Sequence, residues 1–529
     1  MQLELRGITK RFPGVVANDA VDLEVESGEV HGLLGENGAG KSTLMNILYG
    51  LYRADEGQIL LDGEPLLLDD PGDAIDAGIG MVHQHFMLVP VFTVAENIVL
   101  GVEPTDRLGR LDRATASRRV SELAEESGLP VDPDALVENL PVGVQQRVEI
   151  LKALYRDAQL LILDEPTAVL TPQEADDLFE AIRGFTAEGR SVIFISHKLR
   201  EHREIADRIS ILRRGRIVGT ADPRTASEQE LANLMVGRPV ELTVERAPAE
   251  PKDPVLEVSG LQVTDAIGTP VVHDVELEVR AGEIMAVAGV EGNGQTPLVR
   301  AITGLQDIAA GSVTIAGRDV ASRTRKEILR DGIGHVPEDR NRDGLVAEFS
   351  VAENLILNLW DAEPFARRAS LQFDEIREHA RKVVGSYDIR TPSVDTPAGS
   401  LSGGNQQKLV VSREFDRPID LLVASQPTRG VDVGSIEYIH NQLLVKRDEG
   451  TAVLLVSSEL DEVLALADRI AVMFHGRIVG PFETPISKEA VGRMMAGADP
   501  ADVLEDHEPS NRPGTDERPS DAATSGGPA

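Results

Sequence analysis

The sequence predicts an α/β protein made of two tandem copies of one domain, each built on a largely parallel sheet flanked by helices. Three observations carry that expectation. The chain has 529 residues, too many for a single core, and fits two domains of about 200–250 residues with small appendages. Short apolar runs alternate with amphipathic helical stretches in both halves. The halves also repeat each other in order and at near-constant spacing. Gly35 matches Gly289, Leu140-Pro141-Val142-Gly143 matches Leu401-Ser402-Gly403-Gly404, Leu160 to Thr167 matches Leu421 to Thr428, and Asp207-Arg208-Ile209 matches Asp468-Arg469-Ile470.

Val30 to Leu34, Leu160 to Leu163 and Val192 to Ile195 are short, largely apolar runs, which predicts buried strands. The segments after Lys41 and after Gln145 read as helices. Residues 1–240 form the first unit, and the proline-rich, charged stretch 241–254 reads as an exposed linker. Residues 255–500 form the second unit. Residues 501–529, rich in Pro, Asp, Glu, Ser and Gly, read as a disordered acidic tail.

Composition sets outer limits. Hydrophobic residues make up 41% of the chain, enough for packed cores, and there is no cysteine for disulfides or thiolate metal sites. No apolar run approaches the roughly 20 residues of a membrane span. Met1 to Arg6 lacks the basic and apolar pattern of a secretion signal. The formal net charge of -35 argues against nucleic acid as a partner, since phosphate binding rests on Lys and Arg. Arginine far outnumbers lysine, and the excess of carboxylates fits a surface adapted to high cytoplasmic salt; an ordinary acidic protein from a GC-rich genome is the alternative. The salt reading predicts that folding strengthens with KCl concentration. Full stability in dilute buffer, read by thermal unfolding, would count against it.

Gly35-Glu36-Asn37-Gly38-Ala39-Gly40-Lys41-Ser42, continued by Thr43, follows a predicted strand and opens a predicted helix. In that context glycines let backbone N–H groups turn towards phosphate oxygens, and the helix N-terminus adds positive potential. Lys41 is the expected ligand of the β- and γ-phosphates and Ser42 of Mg²⁺. Asp164 and Glu165 end an apolar strand, where Asp164 is placed for Mg²⁺ and Glu165 for polarising the attacking water. His197 follows the next strand, Ser191 to Ser196, and is a candidate γ-phosphate contact. Gln84 follows another short strand and is a candidate for both Mg²⁺ and the water. His83 and His85 beside it alternate faces and suggest no metal site. Phe12 is either an adenine-stacking ring or a core residue.

Taken together, the phosphate loop, the Gln84 loop, a Leu-Ser-Gly-Gly signature, the Asp-Glu strand end and the following histidine resemble an ATP-binding cassette (ABC) ATPase. The resemblance covers nearly all of residues 1–500. It implies two ABC-type P-loop domains, each with a helical subdomain, using ATP and Mg²⁺. Two cassettes in one chain look like the energy-coupling ATPase subunit of importers for a simple sugar such as glucose or ribose. His83 to Leu88 and Glu291 to Thr296 look closer to the nucleoside-importing branch. The resemblance further implies two membrane permease subunits and an extracytoplasmic solute-binding protein as partners. It places the chain at the cytoplasmic face of the cell membrane.

In this family two cassettes pack head to tail, each ATP lying between one cassette's phosphate loop and the other's signature. The first composite site then joins Lys41, Ser42, Gln84, Asp164, Glu165 and His197 to Ser402-Gly403-Gly404-Asn405, and every element is present. The second joins Gly289 to Thr296 with Leu140-Pro141-Val142-Gly143-Val144. There Gln295 replaces the lysine, Glu338 the glutamine, Ser425 and Gln426 the Asp-Glu pair, Ser458 the histidine, and Pro141 the signature serine. All departures fall on one site. The second site is therefore expected to bind nucleotide weakly or statically and to turn over negligibly. A soluble ABC protein acting on ribosomes or DNA is a poorer match, because the linker is short and the chain acidic.

Overall fold

The structure, a computed structural model, describes residues 1–505 apart from 84, 85, 168, 169, 171, 241–245 and 369. Each half is built on a six-stranded sheet. In the first, the spatial order is Arg216–Ala221, Arg208–Arg213, Val30–Leu34, Ser191–Ser196, Leu160–Asp164, Ile79–Val82. All neighbours run parallel except the edge strand Arg216–Ala221. The second sheet repeats this as Ile333–Val336, Leu421–Ser425, Ala452–Ser457, Ile284–Ala288, Arg469–Phe474, Arg477–Glu483.

The apolar runs are continuous because both faces of the sheet are covered. Along Leu160–Asp164, Leu161 and Leu163 pack with Phe194 and the helices Val142–Tyr155 and Pro172–Ala187. Leu160 and Ile162 face the other way, onto Leu3, Leu5, Ile8 and Leu44. That second layer includes a four-stranded antiparallel sheet, with Leu3–Phe12 between Val15–Val25 and Glu56–Leu61. It covers one face of the parallel sheet and was not anticipated from the apolar runs. Its counterpart in the second half is built on Pro254–Thr264.

The described part of the linker is mostly exposed, and Arg246 ties it to the second half, donating to the carbonyl of Leu466 and pairing with Asp468 at 3.0 Å. The region expected as a tail begins with a helix, Pro500–Glu505. Proline suits a first helical turn, and Val503 is fully buried in the second half's core, which gives this turn an apolar anchor. Residues 506–529 lie outside the described residues.

The halves meet through side chains from several elements. Val433 joins Leu231, Met235 and Val240 in one apolar cluster. Arg238 pairs with Glu437 at 2.9 Å, and Lys198 with Glu459 at 3.3 Å.

Candidate active site

Strand Val30–Leu34 runs into the turn Gly35–Gly40 and then into helix Lys41–Leu48. Gly40 has φ +106°, and a Cβ there would lie 2.3 Å from the Ala17 carbonyl oxygen, so this corner admits only glycine. Lys41 is 6% exposed and folds back over the loop, donating to the carbonyls of Gly35 at 2.6 Å and Glu36 at 3.2 Å. Burial lowers its pKa, against the pull of Glu165 and Asp164.

The catalytic candidates gather at the carboxyl ends of parallel strands, the usual ligand edge of such sheets. Asp164 pairs with Ile195 in register, which brings Glu165 beside His197. The Nδ1–H of His197 donates to Glu165 Oε2 at 2.8 Å. Burial works against the charged form of both; for each, the hydrogen bond and charge of the partner outweigh it, so His197 sits above and Glu165 below the ordinary value. Glu165 has φ +51°, a left-handed conformation held by its N–H donating to the Ile195 carbonyl at 2.8 Å.

Asp164 is pushed up to about 6, by burial and then by the neighbouring Glu165 charge, although Lys41 and the Ser42 hydroxyl oppose the rise. A serine hydroxyl hydrogen-bonded to a carboxylate, beside a second carboxylate, is a hard oxygen donor set that fits a divalent cation such as Mg²⁺. Because folding raises this pKa above 3.8, the folded protein holds the proton more tightly than the unfolded chain, and stability falls as pH rises between those values. Asp164→Asn is therefore expected to stabilise the nucleotide-free protein at pH 8 by about 1–3 kcal/mol while removing activity. The gain should fade as pH falls through about 6 towards 3.8. Equal thermal midpoints for variant and parent at pH 8 would refute it.

Phe12 is 38% exposed, T-shaped to Tyr52 at 5.6 Å between centroids and with Lys10 Nζ 5.7 Å over its ring, so it is not a core residue. Gln84 lies outside the described residues. Three residues on, Glu149 accepts the Met87 N–H at 2.6 Å. Glu149 and Glu201, which accepts from Thr167 at 2.6 Å and Ser196 at 2.7 Å, support the site and were missed by sequence reasoning. The available signal for Glu149 was a carboxylate within the apolar stretch of a predicted helix.

The second cassette reaches this site. Asn37 Nδ2 donates to the Gly430 carbonyl at 3.0 Å. Glu36 is raised to about 7 by burial and by Asp432, with Arg390 opposing. The Arg390 N–H donates to Asn405, whose Nδ2 donates to Ser402 Oγ at 2.8 Å. Ser402 is exposed at the start of helix Gly403–Phe415, and its hydroxyl makes no capping bond. Thus Arg390, Asn405, Gly430 and Asp432 place the Ser402–Asn405 end of the second cassette on the side of the first phosphate loop.

The second loop keeps the backbone and changes the chemistry. Gly292 and Gly294 repeat the positive φ of Gly38 and Gly40. Gln295 donates to the Val290 carbonyl at 2.8 Å, in the place of Lys41. Gln426 keeps the left-handed backbone of Glu165, with φ +47°, and accepts from the Ser458 N–H at 3.2 Å and hydroxyl at 3.3 Å. Thr296 donates to Glu338 at 2.7 Å, and Arg429 binds Glu291 at 2.8 Å and Glu338 at 2.9 Å. In the first half, Pro141 caps helix Val142–Tyr155, and Glu174 Oε1 lies 2.1 Å from where a Cβ on Gly143 would stand.

A sequence profile described as "ABC transporter" matches residues 18–168 and again 272–429. A nucleoside import ATP-binding protein of Lactococcus lactis is 50% identical over 496 residues, 94% of this chain and 98% of that protein. A glucose import ATP-binding protein of Haloferax volcanii is 49% identical over 94% of this chain and 96% of its own length. A ribose import ATP-binding protein of Rubrobacter xylanophilus is 46% identical, covering 94% and 99%. The solved structure of an archaeal ribosome recycling factor with an archaeal ribosomal stalk protein matches 93% of this chain and 92% of that one. Its TM-score is 0.60 at 20% identity, a likeness of fold alone.

Fold and loops define a P-loop ATPase with two cassettes in one chain. The chain belongs to the ABC transporter family, among its tandem-cassette import ATPases. It binds ATP, couples its hydrolysis to import, and works on membrane permease subunits as a peripheral protein. No helix among the described residues is long and apolar enough to cross a membrane.

Proposed function

We propose that this chain hydrolyses ATP at one composite site and drives import of a simple sugar such as glucose or ribose. The observation that supports one-site turnover is the unequal pair of loops: Lys41, Asp164, Glu165 and His197 stand together at the first, while Gln295, Ser425, Gln426 and Ser458 stand at the second. In this reading residues 1–240 are the complete cassette, 241–254 the linker, 255–500 the degenerate cassette and 501–529 an appendage.

ATP is cradled by Gly35 to Thr43, with Phe12 against adenine and Ser402-Gly403-Gly404-Asn405 closing from the other side. Lys41 swings from the Gly35 carbonyl to the β- and γ-phosphates. Glu165 polarises a water that attacks the γ-phosphorus; the bond to the bridging oxygen breaks, leaving ADP and phosphate. His197, its Nδ1 committed to Glu165, presents Nε2 to the γ-phosphate. Ser42, Asp164 and Gln84 would hold Mg²⁺, which supplies charge neutralisation at the β- and γ-phosphates when bound. The partners are two permease subunits and an extracytoplasmic solute-binding protein, with this chain at the cytoplasmic membrane face.

A nucleoside is the second reading. The Lactococcus nucleoside relative, a Bacillus subtilis guanosine import ATP-binding protein at 49% identity, and the His83 to Leu88 stretch favour it. Uptake of glucose, ribose and guanosine into vesicles carrying the assembled importer separates the two. ATP-dependent guanosine uptake without sugar uptake would overturn the first.

A further inference from the structure

We propose that Arg340, from the second cassette, is a positioning residue for hydrolysis at the first site: it holds the turn 428–432 against the first phosphate loop. The inference rests on the first site being the hydrolytic one. Arg340 opens a single π-helical turn, Arg340–Gly344, set up by Asp339, which accepts the N–H groups of Asn341 at 2.9 Å and Arg342 at 3.1 Å. Its guanidinium donates to the carbonyls of Arg429 at 2.9 Å and Gly430 at 3.5 Å. The Gly430 carbonyl is the same oxygen that accepts from Asn37 of the first phosphate loop. One oxygen therefore joins a cation of the second cassette to the loop that carries Lys41.

The guanidinium also lies at the start of the signature helix, since a Cβ on Gly403 would stand 2.8 Å from Arg340 Nη2. Arg340 thus touches both the turn that meets Asn37 and the first residue of the signature helix. Its Nε is buried without a partner, and the Asp339 carboxylate together with the carbonyls of the turn offsets the burial of this charge. Charged donors to a carbonyl are shorter and stronger than neutral ones, and they polarise the acceptor.

The same turn is tied down on its other side. The Arg429 side chain is held by Glu291 and Glu338, and Glu338 also accepts from Thr296. These residues occupy the phosphate loop and glutamine position of the second site. The groups that would have handled a second nucleotide instead anchor the turn that serves the first.

The test uses the full chain assembled with its permeases, measuring kcat and KM for ATP. Arg340→Met is expected to lower kcat about tenfold or more, as displacement of a positioning contact does, with KM changed by less than about threefold. Arg340→Lys, which still donates to a carbonyl, should restore much of the loss. Asn37→Ala should give a similar fall, and the Arg340→Met/Asn37→Ala pair should be no slower than the slower single variant, since both cut one linkage. Parental kcat in Arg340→Met, a loss confined to KM, or multiplicative losses in the pair would overturn the proposal. If Arg340→Met does not fold, Asn37→Ala and Glu338→Gln carry the test, and parental kcat in both overturns it. Glu165→Gln run in parallel keeps the assumptions apart: if that variant still hydrolyses ATP, it is the assignment of the first site that fails.

Discussion

Glu165→Gln, in the assembled transporter, is expected to reduce steady-state ATP hydrolysis to background, a fall of at least about 10²–10⁴ for loss of the group that activates water. The protein already contains the outcome. Gln426 occupies the same position in the second cassette, with the same left-handed backbone, and its amide accepts from Ser458 as Glu165 accepts from His197. The exchange is therefore sterically mild, and folding should survive it. What disappears is the negative charge that lifts the His197 pKa and polarises water. Nucleotide binding should persist, because Lys41 and the loop backbone are untouched. Phosphate release counted against bound nucleotide checks both. Hydrolysis within a few fold of the parent would mean that the second site turns over and would sink the one-site mechanism.

Ser402→Arg should be equally damaging, although Ser402 belongs to the other cassette. Ser402 is exposed at the head of helix Gly403–Phe415, with its hydroxyl accepting from Asn405. Its neighbours Arg390 and Gly430 already act on Glu36 and Asn37. An arginine there removes the hydroxyl and places a long side chain where the two walls must close on ATP. The expected result is loss of hydrolysis by a factor on the order of 10²–10³, comparable to removing a preorganised donor, with ATP binding at the first loop retained. Pro141→Ser, the reciprocal change at the second site, should restore no measurable turnover, since Gln295, Ser425 and Gln426 remain. Unimpaired hydrolysis in Ser402→Arg would place the second wall elsewhere.

The parts legible in the sequence are those whose chemistry is local. Gly35 to Ser42 announces itself because glycine, lysine and serine at fixed spacing between strand and helix have few other uses. Asp164-Glu165 was legible because two acids end a run that is otherwise apolar. The antiparallel sheets were less so, since Leu3–Phe12 alternates with three irregularities in register and reads weakly. Arg246 was read as part of an exposed linker, yet its partners Leu466 and Asp468 lie over 200 positions away. Arg340 gave no local signal at all: its acceptors are backbone carbonyls, which look alike in any sequence.

By itself, then, the amino-acid order determined two α/β cassettes, their nucleotide chemistry, and the replacement of Lys41, Asp164, Glu165 and His197 by Gln295, Ser425, Gln426 and Ser458, because these depend on side-chain identity and short-range spacing. Only the tertiary structure decided how the second loop is filled, with Arg429 bound by Glu291 and Glu338, and that the turn at Gly430 meets Asn37. Those depend on which surfaces pack together. Packing is settled by burial summed over whole faces, such as Val433 against Leu231 and Met235, and not by any motif.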